Sequence, residues 1–112
     1  MNYKEMSNLM NKIWKEVQQT RDDGQKEYAH DEDNVFANFE RVANTLKIPR
    51  EKVLLTYMLK HIDGIVAYVE GHKSQREEVD GRIVDAIVYL CLLYGLTKDD
   101  LLLTRDWESV YT

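Results

Sequence analysis

Ile83-Val84-Asp85-Ala86-Ile87-Val88-Tyr89-Leu90-Cys91-Leu92-Leu93 reads as a central helix, and it sets the fold. Nine of its eleven residues are apolar, on every side of a helical wheel rather than along one stripe. Such a helix is packed by neighbours or by a second subunit. The run is far below the roughly 18–20 residues that cross a bilayer. Cys91, set among leucines, reads as a small core residue. Upstream, Ser74-Gln75-Arg76-Glu77 has the S-x-x-E form of a capping box that opens this helix. Downstream, Gly95 is expected to end it. Thr97-Lys98-Asp99-Asp100 then caps a short last helix around Leu101–Leu103.

The rest of the chain is also helical in period. Met6, Leu9, Met10, Ile13 and Val17 share one face of a first helix from about Lys4 to Asp22, with possible continuation past Gly24 to Tyr28. His30-Asp31-Glu32-Asp33-Asn34 is a polar connector, with Asp31 or Asp33 as the next N-cap. Val35, Phe36, Phe39, Val42, Ala43 and Leu46 mark a second helix. Pro49 is expected at the first position of a third, whose core face is Leu54, Met58, Ile62, Ile65 and Val69, with Gly71 as its C-cap. Short connectors put successive helices antiparallel. The expected architecture is a single all-α domain over residues 1–112, an antiparallel four-helix bundle plus a short C-terminal helix.

Composition agrees. One Pro and five Gly in 112 residues are too few for a fold of many turns. One Cys builds neither an internal disulfide nor a Cys-based zinc site. No apolar leader is visible at the N-terminus, so a cytoplasmic location without a membrane partner is expected. The net charge of −5 argues against bulk nucleic-acid binding. The charge is uneven, however: residues 35–73 carry 6 basic and 4 acidic groups (+2), against −3 before and −4 after. A local basic pocket for one small phosphorylated ligand is compatible with that distribution.

Four constellations carry candidate chemistry. Asp85 sits in the apolar helix, on one stripe with Glu78, Arg82 and Tyr89. A buried carboxylate needs a cation, a donor or a metal, and Arg82 and Lys60 are the available cations. A register-fixing ion pair and a ligand or metal site both satisfy that need. Tyr57, Lys60, His61, Gly64 and Tyr68 lie along one flank of the third helix. Gly64 lets a planar ligand or another helix approach closely, and the tyrosines offer stacking surfaces. The bland reading of His61 is a core-edge residue with its polar atoms wet. Lys73 and Arg76 precede a helix N-terminus, which suits an anion or a solvated loop. Lys26 and Tyr28, with Asn34 and Asn38, form the last set, in which the asparagines read a base edge or merely cap. Phosphate-loop, dinucleotide-binding and serine-nucleophile motifs are absent.

Lys26-Glu27-Tyr28-Ala29, Asn34 with Asn38-Phe39, Met58-Leu59-Lys60-His61-Ile62, and Gly81-Arg82-Ile83-Val84-Asp85-Ala86 with Tyr89-Leu90 come in an order with a known parallel. The segment from Lys26 to Leu96 resembles phage and prophage proteins of the nucleotide-modification-associated domain family. These are similar to the all-α, MazG-like nucleoside triphosphate pyrophosphohydrolases. The resemblance implies a helical bundle, a homo-oligomer, a nucleotide pocket between helices and phage origin. The MazG-like catalytic pattern is E-x-x-E on one helix and E-x-x-D on a later one, gathering Mg²⁺. Here Lys60 and Asp63 stand where paired carboxylates are expected, and only Asp85 clearly persists, with Glu78 as a helper.

The expected function is therefore binding of a small nucleotide without cleavage, as a phage protein that sequesters a nucleotide signal of host antiviral defence. Its candidate ligand residues are Lys26, Tyr28, Asn34, Asn38, Tyr57, Lys60, His61, Lys73, Arg76, Arg82 and Asp85, and it requires no cofactor. The alternatives are a Mg²⁺-dependent nucleotide pyrophosphohydrolase, with Asp85 and Glu78 as metal ligands, and an oligomeric interaction module without a small ligand.

Overall fold

The computed structural model describes residues 1–29, 32–72 and 78–104. Among them every regular element is helical: α1 (Tyr3–Gly24), a five-residue π-helical turn (Gln25–Ala29), α2 (Ala37–Leu46), α3 (Arg50–Val69) and α4 (Val79–Thr104). No helix among the described residues is long and apolar enough to cross a membrane.

The helix starts follow from local side-chain chemistry. Asn2 caps α1, its Oδ1 accepting from the Glu5 amide at 2.8 Å. The acidic connector was expected to supply Asp31 or Asp33 to α2. The N-cap of α2 is Phe36, which makes no side-chain cap, and Asn34 orders the entry ahead of it: its Oδ1 accepts from the Phe36 amide at 3.1 Å and its carbonyl from Ala37 N–H at 3.2 Å. Asp31 lies outside the described residues, as does the capping-box segment Ser74–Glu77. Pro49 is the N-cap of α3 rather than its first helical residue, and its carbonyl accepts from the Lys52 amide at 3.0 Å.

Helix ends use the left-handed region twice. Lys47 closes α2 with φ 59° and Gly71 follows α3 with φ +99°, which only a residue without Cβ adopts freely. The Gly71 amide then donates to the Tyr68 carbonyl at 3.0 Å and the His72 amide to the Ala67 carbonyl at 2.9 Å.

The expected fifth helix is not separate. α4 runs unbroken through Gly95 to Thr104, about 39 Å at 1.5 Å per residue. Gly95 serves packing rather than termination: a Cβ there would stand 3.2 Å from Phe36 Cζ. Thr97 does not cap a new helix, because its hydroxyl donates back to the Tyr94 carbonyl at 2.7 Å.

The helices pack in the spatial order α1, α4, α3, α2, and the π-helical turn approaches α2 at one end. Successive pairing of α1 with α2, expected from short connectors, does not occur. Two small cores result. Phe36, Phe39, Ala43, Val53, Leu54 and Leu96 join α2, α3 and α4. Val17, Val84 and Val88 join α1 and α4, and Leu92 packs against both clusters. The radius of gyration is 16.4 Å. A compact chain of this length has about 13 Å, so the arrangement is open.

Much of the expected apolar surface is bare. On α1 only Val17 is buried, while Met6, Met10 and Trp14 are exposed. On α3 the core residues are Val53, Leu54, Met58 and His61, and Val69 points to solvent. α4 is not covered all round, since Ile83, Leu90 and Tyr94 are exposed. Cys91 is exposed as well, rather than in the core. It lines a surface groove with Trp14, Val17 and Leu92 between α1 and α4.

Arg50, which the sequence reading did not single out, ties the ends of three helices together. Its guanidinium meets Glu40 of α2 at 3.4 Å, and Asp99 and Asp100 of α4 at 3.0 and 2.8 Å. It also lies over the Phe36 ring at 5.4 Å. Burial alone would lower its pKa, but the hydrogen bonds it donates to Asp100 and Asp99, with their charges, outweigh that and raise it.

Candidate functional site

The π-helical turn builds the site. α1 carries on past Gly24 for one wider turn, which sets Glu27 and Tyr28 opposite α2 and α4. Such turns recur at functional sites because they re-aim side chains without ending the helix. Two clefts meet there. One, of about 290 Å³, is lined by residues including Arg21, Asp23, Tyr28, Asn38, Asp85 and Tyr89. The other, of about 550 Å³, shares Glu27, Tyr28, Asn38 and Tyr89 with it and adds Arg41, Val42 and Tyr57.

The aromatic wall rests on the first core. Phe39 contacts the Tyr57 ring at 6.0 Å and the Tyr89 ring edge-on at 6.4 Å. His61 stacks on the Tyr89 ring as well, with ring centroids 5.7 Å apart. Tyr89 is thereby held by two rings, while Tyr28 is open to solvent.

Asp85 reaches the cleft from α4 with His61 behind it. Its Oδ2 stands 3.5 Å from His61 Nδ1, beyond a good hydrogen-bond length. His61 is buried, not wet at the core edge. Its side chain holds the place by Asp85 for which Lys60 was a candidate. Lys60 is exposed and lines neither cleft.

The tyrosines report the local field. Burial raises the Tyr89 pKa first, and the negative charge of Asp85 raises it further. Tyr28 is raised mainly by the adjacent Glu27 carboxylate, through charge and a hydrogen bond to the phenol. Both phenols are thus held neutral, and that of Tyr28 donates to the Glu27 carboxylate.

The structure brings Tyr28, Asn38, Tyr57 and Asp85 to the clefts and puts His61 directly behind them. Other predicted residues are elsewhere. Asn34 is taken up at the α2 entry, where its amide donates to Glu40 Oε1 at 3.0 Å. Lys26 is exposed and lines neither cleft. Arg82 packs over Gly64, where a Cβ would collide with Arg82 Cδ, Nε and Nη1. The close planar approach expected at Gly64 is made by this side chain. Glu78 is exposed ahead of α4. Lys73 and Arg76 lie outside the described residues. Arg21, Asp23 and Arg41 were missed, because each sits on a polar face that reads as solvated surface.

The site combines aromatic faces, two side-chain amides (Gln25 and Asn38), two guanidinium groups and three carboxylates. It offers stacking faces beside both hydrogen-bond donors and acceptors. Among the described residues no three His, Cys, Asp or Glu side chains converge as a metal site. No family model, curated protein or solved structure matches the chain.

Proposed function

We propose that this protein binds a small nucleotide in the cleft framed by the π-helical turn, α2 and α4, and holds it without cleaving it. The base stacks on the tyrosine wall, Asn38 and Asp85 hydrogen-bond its edge or its ribose hydroxyls, and Arg21 and Arg41 face its phosphates. The observation that carries this reading is the joining of Tyr28, Asn38, Asp85 and Tyr89 in one solvent-open cleft. The fold is of the MazG-like kind and the working form is a homo-oligomer, in keeping with the bare apolar rows on α3 and α4. The role is that of a phage-type sponge, sequestering a nucleotide signal of host antiviral defence in the cytoplasm.

The test is a panel of linear and cyclic nucleotides, with and without Mg²⁺, followed by thermal shift and chromatography. A ligand that binds only the folded state raises its melting temperature. Binding predicts a shift with at least one nucleotide, which is recovered intact on denaturing the protein. Accumulation of a cleaved product would transfer the site to the pyrophosphohydrolase reading, with Asp85 at its centre. No shift with any nucleotide would leave an interaction module without a small ligand.

A further inference from the structure

α3 buries one side and leaves a second apolar side bare. Its core side is Leu54, Met58 and His61, with Ile65 half-buried. Roughly a quarter turn around the helix run Leu55, Leu59, Ile62, Val66 and Val69. Leu55, Leu59, Val66 and Val69 are 42%, 47%, 48% and 77% exposed. The spacing alternates four and three residues, which is the a/d repeat of a coiled-coil seam. Ile62, in the middle of the row, is half-buried, and the other four are left open to solvent.

The charges beside the row say what covers it. Lys52 borders its N-terminal end and Glu70 its C-terminal end on the same edge, with Asp63 between them, and all three are exposed. Were two copies to pair in parallel, Lys52 would face Lys52 of the partner subunit, a repulsion, and Glu70 would lie on the opposite side of the interface from Glu70 of the partner subunit, with no cation across from it. Antiparallel pairing about a two-fold axis near the level of His61 instead sets Lys52 against Glu70 of the partner subunit, twice. Leu59 then packs on Ile62 of the partner subunit, and Leu55 on Val66 of the partner subunit. Both registers bury the row, and only the antiparallel one satisfies the charges.

We infer that two copies of this chain dimerise through α3, antiparallel, along the Leu55–Val69 row. The inference deepens the homo-oligomeric part of the proposed function by naming its face and orientation. The test is sedimentation of the full chain. The natural protein is expected to sediment as a dimer. Leu59→Asp is expected to weaken it by about tenfold or more, since the seam would bury an unpaired charge. Circular dichroism should be unchanged, because Leu59 is on the surface of the single chain. Lys52→Glu and Glu70→Lys should each weaken the dimer, and the double exchange should restore it. In a Cys91→Ser background, Leu55→Cys with Val66→Cys should oxidise to a covalent dimer, and Leu55→Cys alone should not. A natural protein that is monomeric at every concentration overturns both the seam and the oligomer. A dimer indifferent to Leu59→Asp and to both charge reversals leaves the oligomer standing and overturns the seam. Efficient cross-linking by Leu55→Cys alone overturns the antiparallel orientation.

Discussion

The side chain of Arg82 fills the space that a side chain at Gly64 would need, so α3 and α4 approach closely there. Glycine in a helix interior costs about 1 kcal/mol relative to alanine, and this contact is what that cost supports. Gly64→Ala gains the propensity but displaces Arg82. The two effects oppose each other, and the outcome is no net gain or a loss. In an Arg82→Ala background the obstruction is gone, and Gly64→Ala is expected to stabilise by about 1 kcal/mol. Urea unfolding of the four proteins in this cycle measures the coupling. Equal effects of Gly64→Ala in both backgrounds would show that the contact carries no energy.

Arg50 gathers Glu40, Asp99 and Asp100 while lying on Phe36. Removing it leaves three carboxylates close together without their shared cation. Arg50→Ala is expected to cost about 1–3 kcal/mol, more than an isolated surface pair, because the guanidinium is largely buried and multiply bonded. The loss should shrink as salt is added, since the carboxylates are partly exposed. Arg50→Lys keeps the charge but loses the fork that spans Asp99 and Asp100, so it should fall between the two. Thermal unfolding at low and high ionic strength distinguishes these outcomes.

Tyr89 gives an alkaline signature. Its folded pKa is raised above the ordinary value of 10.0 by burial and by Asp85. The folded state therefore holds this proton more tightly than the unfolded chain. Its contribution is fully present below the unfolded value and is lost as pH rises through the folded one. Melting temperature should fall above about pH 10, and Tyr89→Phe should flatten that part of the profile. Asp85→Asn should bring the onset of tyrosinate absorbance to lower pH by removing one of the causes. An unchanged absorbance titration in Asp85→Asn would separate the two groups electrically.

The helices were legible because apolar residues recur at helical spacing and Gly and Pro are scarce. The neighbours of each helix were not. Periodicity says that Leu54 and Met58 share a face, but it does not separate that face from the adjacent Leu55–Val69 row. Hence Val69 was assigned to a core it does not enter. Gly95 illustrates a second limit. A glycine that terminates a helix and one that admits a phenyl ring look alike in sequence, and only Phe36 on another element decides. Within the site, Asp85 stood out because a carboxylate among aliphatic residues is costly. His61, which stands beside it, is one residue from Lys60, one of the two cations expected there with Arg82, a turn of about 100° around α3. Arg41 gave no signal, because an arginine on a polar face looks the same whether it meets a ligand or water.

Two asparagines that look alike in sequence separate into two roles, which makes the sharpest test of the site. Asn34 is spent on the entry to α2: its oxygen accepts from Phe36 N–H and its amide donates to Glu40. Asn38, one turn further on, lines both clefts. Asn34→Ala should therefore cost about 1 kcal/mol of stability, the usual loss for a helix-start side chain, with ligand affinity unchanged. Asn38→Ala should do the reverse. It should weaken binding of whichever nucleotide shifts the melting temperature by about fivefold to tenfold, the value of one hydrogen bond, and leave unfolding in urea almost unaltered. Tyr28→Ala, which removes an exposed ring at the cleft mouth, should weaken the same ligand with little loss of stability. Calorimetric titration beside urea unfolding reads both quantities for each variant. Affinity lost in Asn34→Ala and kept in Asn38→Ala and Tyr28→Ala would move the ligand site away from the π-helical turn.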